Sequence, residues 1–368
     1  MPTRAAWRAV LPWFVGSRLI ILAIGIVGVV TFLNHRTLDV GGATGLDFQA
    51  TWLKWDGEYY QRIAQHGYGY ELNDVKGQAA AGFFPLYPLL IGLLLQLAPM
   101  LSFFWLATTV SNALSIVALA LAVQHLAGGA ERARRFLAVM VTSAGSFYLS
   151  IPYTESLFLL LIVLVMILTR RRQYFWAAAI AGLAATTRVQ GLAALAIPVI
   201  ACRIDDDVPL PTRFKRIAVM AMIFCLPLAI YMQHLSLVQG SAEAFIARQE
   251  LWDNAWPYPM KSLVGLLLHP RWLSGWLHGA YWFAYVALLA RYWRKIPLGE
   301  ALFCAGALLI STQQETFHGI YRYVTPLVPL ALAIADDRSE WRGPIVVANV
   351  VFATIMILAF VTWNRLAV

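Results

Sequence analysis

Apolar stretches of membrane length recur along the whole chain, at 9–33, 83–100, 102–126, 135–151, 153–170, 174–201, 217–238, 272–292, 297–312, 320–335 and 343–363. Each comes close to the ~20 residues that carry a helix across a hydrocarbon core. Backbone groups in lipid must be satisfied within the chain, and helices do this segment by segment, so the sequence predicts an all-α polytopic membrane protein of about 10–12 transmembrane helices. Charged residues are only 13% of the 368 positions, against roughly 25% in soluble domains. So many spans leave little room for a separate soluble unit. Residues 1–368 therefore read as one integral-membrane domain whose chemistry lies in loops or at helix ends.

The formal charge of +9 would suggest nucleic acid in a soluble protein. Here Lys and Arg fall in short clusters between apolar blocks, the habit of cytoplasmic loops, and no nucleic-acid partner is expected. Arg4 and Arg8 precede the first span and place the amino terminus inside. The two long polar segments, 34–82 and 239–271, then face outward, and the first carries mixed charges as translocated segments do. A strict count of spans puts Glu131–Arg135 and Arg170–Arg172 outside, against the same rule. One repair breaks 174–201 into two half-spans meeting near Thr187 and Arg188, with a compensating partial crossing within 83–126. Cys202, Cys225 and Cys304 lie in or beside apolar blocks without CxxC spacing and read as packing residues. The first span is too long for a cleavable signal and reads as retained.

Within 34–82, Trp52, Trp55, Tyr59 and Ile63 recur at helical spacing, which predicts an interfacial helix with the intervening polar residues in water. Asp56 beside these rings has two readings. It is a general base toward a hydroxyl, or it caps the helix with Glu58 favourable in the first turn. Two residues separate Asp56 from Glu58, so the two do not share a helix face. Arg188 lies inside an apolar run, where a cation is paired or lines a cavity. It either binds a phosphate or forms a structural ion pair, for instance with Glu155. Glu155 opens a span and is a site residue or merely a favourable helix start. Arg322, flanked by Tyr321 and Tyr323, suits an anionic phosphate or snorkels to the interface. His318 and His66 are lone loop histidines with no decisive pattern around them. No HExxH, Walker loop or GxSxG elbow is present, so metalloprotease, ATPase and serine-hydrolase readings have no support.

Five motifs in order carry a family resemblance: Trp55-Asp56-Gly57-Glu58-Tyr59-Tyr60, Phe83-Phe84-Pro85-Leu86-Tyr87-Pro88, Tyr153-Thr154-Glu155-Ser156, Thr187-Arg188-Val189-Gln190-Gly191 and Tyr321-Arg322-Tyr323-Val324-Thr325-Pro326. Together they resemble the PIG-V type of mannosyltransferase, which adds the second mannose in GPI-anchor synthesis. The resemblance implies a GT-C-type fold and an inverting transfer from a polyprenyl-phosphate sugar, with no nucleotide sugar and no cofactor or required metal. It makes Asp56 the base. Arg188 and Arg322 become the cations for the leaving phosphate, and Tyr87, Glu155 and Gln190 match motif positions that would line the sugar or acceptor cavity; Glu58, as a helper beside Asp56, and His318 are further substrate-binding candidates from their own positions. The acceptor would be a lipid-linked or envelope glycan at the outer face. The short, Ala- and Leu-rich chain looks bacterial, which implies the plasma (inner) membrane and an acceptor other than a GPI anchor.

A transporter or lipid flippase with an intramembrane Arg188/Glu155 site is the alternative from another class. It predicts internal repeats, which the sequence does not display, and gives no role to an acidic aromatic helix at the interface. A non-catalytic scaffold on the same fold is the third.

Overall fold

The computed structural model describes residues 1–33, 48–69, 80–205, 207, 209–249, 260–268, 273–313, 317, 319–337 and 342–362. Among them there are helices and no strands. In chain order they are α1 (Arg4–Gly28), α2 (Phe48–Trp52), α3 (Asp56–His66), α4 (Leu86–Leu97), α5 (Phe103–His125), α6 (Ala130–Thr142), α7 (Glu155–Arg170), α8 (Tyr174–Ala185), α9 (Ala196–Arg203), α10 (Leu210–Gln239), α11 (Ala244–Gln249), α12 (Lys261–Leu268), α13 (Leu273–Tyr292), α14 (Leu298–Ile310), α15 (Ile320–Val324), α16 (Val328–Asp336) and α17 (Arg342–Val361). Short 3₁₀ turns at Ser146–Leu149 and Val189–Leu195 interrupt the series. The protein is an integral membrane protein, all helical and polytopic. Among the described residues four helices, in α1, α5, α10 and α17, are long and apolar enough to cross a bilayer. Their outward faces carry exposed Leu19, Ile20, Leu226, Ile230 and Val351, as lipid contact requires.

Several other apolar runs are too short to cross. At 1.5 Å per residue, the 13 residues of α6, 12 of α8 and 13 of α14 reach only ~18–20 Å of a ~30 Å core. Polar contacts show where they go. Thr3 N–H donates to Gln124 Oε1, setting the start of α1 beside the end of α5. Arg132 pairs with Asp336 at 2.6 Å and Tyr292 Oη donates to Asp337. Arg170 meets Glu300 at 3.4 Å, and Tyr174 Oη meets Asp205 at 2.8 Å. These contacts tie the starts of α1, α6, α8 and α14 and the ends of α5, α7, α9, α13 and α16 to one side. That side carries Arg4, Arg8, Arg134, Arg135, Arg171 and Arg172.

α6 with α7, α8 with α9, and α14 with α16 are therefore three helical hairpins that start and end on the arginine-bearing side. The clusters at 131–135 and 170–172, which a strict span count sets opposite Arg4 and Arg8, share their side, because α4 at 12 residues is too short to cross and α5 then ends beside the start of α1. The run 174–201 does break at Thr186–Arg188, as the repair requires. Within 83–126 the short helix is α4, 12 residues or ~18 Å long, and its first N–H, from Leu86, donates to Thr186 O at the tip of the second hairpin. The stretches 135–151 and 320–335, read as spans, are instead a half-length helix with a 3₁₀ tip and a helix broken at Thr325–Leu327.

From the opposite side, α2 and α3 descend onto the three tips. The continuous interfacial helix expected over 52–63 is broken at Leu53–Trp55, and Trp52 is buried on α2 rather than lying at the surface. Its ring fills the space above Gly25 and packs 6.1 Å from that of Phe360. The buried stripe of α3 is Gly57, Tyr60 and Ile63. Lys54, expected in water, is 1% exposed.

The tips touch backbone to backbone. A Cβ on Gly145 would lie 2.3 Å from Tyr321 O and 2.4 Å from Thr325 Oγ1. Overpacking of this kind costs typically ~1–3 kcal/mol. Gly145→Ala is expected to lower the thermal midpoint in detergent by that equivalent. Gly16→Ala, where nothing lies within 4 Å, should stay within ~0.5 kcal/mol of wild type. Equal midpoints for the two variants would refute the close tip contact.

Candidate active site

Four charged side chains meet where α3 reaches the tips. Asp56 is the first residue of α3, and no side chain caps that helix. The capping role is thus not the one it takes. Its Oδ2 instead accepts Arg322 Nη1 at 2.7 Å. Arg322 Nε donates to Glu155 Oε1 at 2.5 Å, and Arg188 Nη1 donates to the same oxygen at 2.6 Å. Two carboxylates and two guanidinium groups therefore form one chain, Asp56–Arg322–Glu155–Arg188, drawn from α3, α15, α7 and the turn after α8. Formal charge balances within it. Glu155 is fully buried, Arg188 and Arg322 nearly so, and the Asp56 side chain keeps 21% exposure. It is the most open of the four, so an incoming group meets it first.

Supports surround the chain. Arg322 lies over the rings of Tyr148 and Tyr153, at 4.9 and 4.8 Å, and Arg188 over Tyr323 at 5.3 Å. Guanidinium groups favour such faces because they are planar and weakly hydrated. Arg188 Nε donates to Gln190 Oε1 at 2.9 Å, and its Nη1 also reaches Thr154 Oγ1 at 3.0 Å. Gln190 Nε2 in turn donates to Tyr323 O at 2.9 Å. Breaking one member of a buried ionic chain strands the others, whereas the intact chain holds three tips and an outer helix in one arrangement.

The structure thus joins Asp56, Glu155, Arg188, Gln190 and Arg322 in one cluster. Arg188 does form the ion pair with Glu155 offered as its structural reading, and that pair is part of the cluster rather than apart from it. Arg322 does not snorkel. Tyr87 is fully buried below, its hydroxyl 3.0 Å from Ser111 Oγ and its ring 5.6 Å from Tyr60. Glu58 is exposed on another face of α3. His318 lies outside the described residues.

The sequence marks Trp55 as an interfacial aromatic but gives no sign of its backbone strain. Its backbone stands at φ 55°, ψ −122°, a region costing on the order of 1–3 kcal/mol for a residue with a side chain. Such strain persists only where neighbours over-determine it. On one side Tyr153 Oη donates to Lys54 O at 2.7 Å, and Gly57 N–H donates to the same oxygen at 3.0 Å. Aromatic rings also pair on α3 and before α4: Tyr59 stacks on Phe83 at 4.7 Å, and Phe84 meets Phe245 at 4.4 Å. The arrangement can take a proton at Asp56 and stabilise an anion beside Arg322.

A family model described as mannosyltransferase (PIG-V) matches residues 43–239, more than half of the chain. The match includes Asp56, Tyr87, Glu155, Arg188 and Gln190 and ends before Arg322. No curated protein and no solved structure matches.

Proposed function

The chain belongs to the PIG-V mannosyltransferase family, and from that premise we propose that it is a GT-C-type inverting enzyme with Asp56 as general base. It moves mannose from a polyprenyl-phosphate carrier to a hydroxyl of a lipid-linked or envelope acceptor. The observation that carries this reading is the partly open Asp56 carboxylate, held by Arg322 at 2.7 Å, at the meeting point of α3 and the three tips.

Asp56 Oδ1 takes the proton of the acceptor hydroxyl while Oδ2 stays on Arg322. The hydroxyl oxygen forms a bond to the anomeric carbon as the bond from that carbon to the phosphate oxygen breaks. Polyprenyl phosphate leaves with the electron pair, and the anomeric configuration inverts. Charge developing on the phosphate needs preorganised cations, and Arg322 and Arg188 supply them from positions fixed in advance. Glu155 keeps the two guanidinium groups apart and aimed. Positive charge clustered on the hairpin side supports a cytoplasmic position for that side, which leaves Asp56 facing outward across a bacterial plasma membrane.

The test uses protein in lipid nanodiscs with labelled mannosyl-phosphoryl polyprenol and an extract of envelope lipids. Polyprenyl phosphate should be released in step with label entering the acceptor, in the anomer opposite to the donor's. Direct use of GDP-mannose, or movement of a solute with no polyprenyl phosphate released, would overturn the reading.

A further inference from the structure

Lys54 is the second buried cation at the base of α3, and the reaction as written does not use it. Its Nζ donates to the carbonyl of Val361 at 2.8 Å, across 307 residues of sequence. Val361 closes α17, so this carbonyl has no partner within its own helix and lies at the negative end of the helix dipole. The carbonyl of Lys54 is held in turn by Tyr153 Oη and by Gly57 N–H. Lys54 is therefore fixed at both its side chain and its backbone, and the next residue is the strained Trp55.

Burial pushes the Lys54 ammonium down to about 7, with Glu58 on α3 acting the other way. An apolar side chain would fill this position without that desolvation penalty. A buried amine seated on a helix-end carbonyl, directly before an over-determined backbone turn and two residues before Asp56, marks a device for aiming. Tyr153 joins it to the site, since the same ring lies 4.8 Å from the Arg322 guanidinium.

We propose that Lys54 is a positioning residue: seated on the terminal carbonyl of α17, its side chain fixes the Trp55 backbone and so the direction in which the Asp56 carboxylate points. The inference rests on Asp56 being the base. It assigns α17 a part in the site through its terminal carbonyl.

The test measures transfer from mannosyl-phosphoryl polyprenol in nanodiscs. Lys54→Met keeps an unbranched side chain one atom shorter and removes the tether. Its kcat should fall roughly 10- to 100-fold, the range expected when a reacting group is misplaced by about 1 Å, with KM for the donor within twofold of wild type. Lys54→Arg, which restores a donor, should recover much of that loss. Tyr153→Phe removes the second tether without altering charge and should lower kcat several-fold at unchanged KM, and it carries the test if Lys54→Met does not fold. Wild-type kcat in folded Lys54→Met, or in Tyr153→Phe when only that variant folds, would overturn the proposal. An active Asp56→Asn would instead remove the reading beneath it. Loss of activity in Asp56→Asn with full activity in Lys54→Met would remove this inference alone.

Discussion

Asp56→Asn is expected to lower mannose transfer by on the order of 10²- to 10⁴-fold, the usual worth of a positioned general base. The substitution keeps the shape of the side chain, and its amide oxygen still accepts from Arg322 Nη1. It removes only the negative charge and the capacity to take a proton. Because the Asp56 side chain is partly open to solvent, folding should be little affected, and yield and thermal midpoint should stay near wild type. Radiolabel transferred in nanodiscs at saturating donor checks the result. A variant that folds and transfers at the wild-type rate would remove Asp56 from the chemistry.

Arg322→Met is expected to act on both stability and rate. Arg322 is the hub: Nε serves Glu155 and Nη1 serves Asp56, and the side chain is only 13% exposed. Removing it leaves Glu155 with Arg188 alone and Asp56 without its partner. Breaking a buried pair from one side costs about 3–5 kcal/mol, which should appear as a large drop in thermal midpoint. Transfer should fall at least as far as in Asp56→Asn, because the leaving phosphate loses its nearest cation at the same time. Arg322→Lys separates the two effects. One ammonium cannot span both carboxylates or stack on Tyr148 and Tyr153 as a planar group does, so stability should return in part while the rate stays low. A midpoint unchanged in Arg322→Met would mean that the charged chain does not hold the tips together.

The membrane class was legible because it depends on local composition, and each span announces itself within its own residues. The break in 174–201 was legible for a similar reason, since Arg188 in mid-run demands a partner. The other short helices were not. Nothing inside 83–100 or 135–151 says that its helix stops at Leu97 or Thr142, because an apolar run looks alike whether it meets lipid or another tip. What limits these helices is contact with distant chain, such as Leu86 with Thr186 or Gly145 with Tyr321. The arginine clusters recorded the error as a violated charge rule, which made them more informative about topology than the apolar runs.

The site divides in the same way. Asp56, Glu155, Arg188 and Arg322 stood out singly, each as a charge where charge is costly. Their union into one chain follows from tertiary packing, and so the ion-pair and site readings of Arg188 looked like alternatives when both describe one arrangement. Lys54 was illegible because it sits among other charges in a polar stretch, and only the distant Val361 carbonyl explains its burial. Trp52, legible as an aromatic at the interface, turned inward because Gly25 on α1 leaves room for its ring.

The most direct measurement is a cryo-EM reconstruction of Asp56→Asn in nanodiscs loaded with mannosyl-phosphoryl polyprenol and envelope lipid. The carrier phosphate should lie against Arg322 and Arg188, with an acceptor hydroxyl about 2.6–3.2 Å from the side chain at position 56. A carrier seated on the arginine-bearing side, away from α3, would contradict that placement.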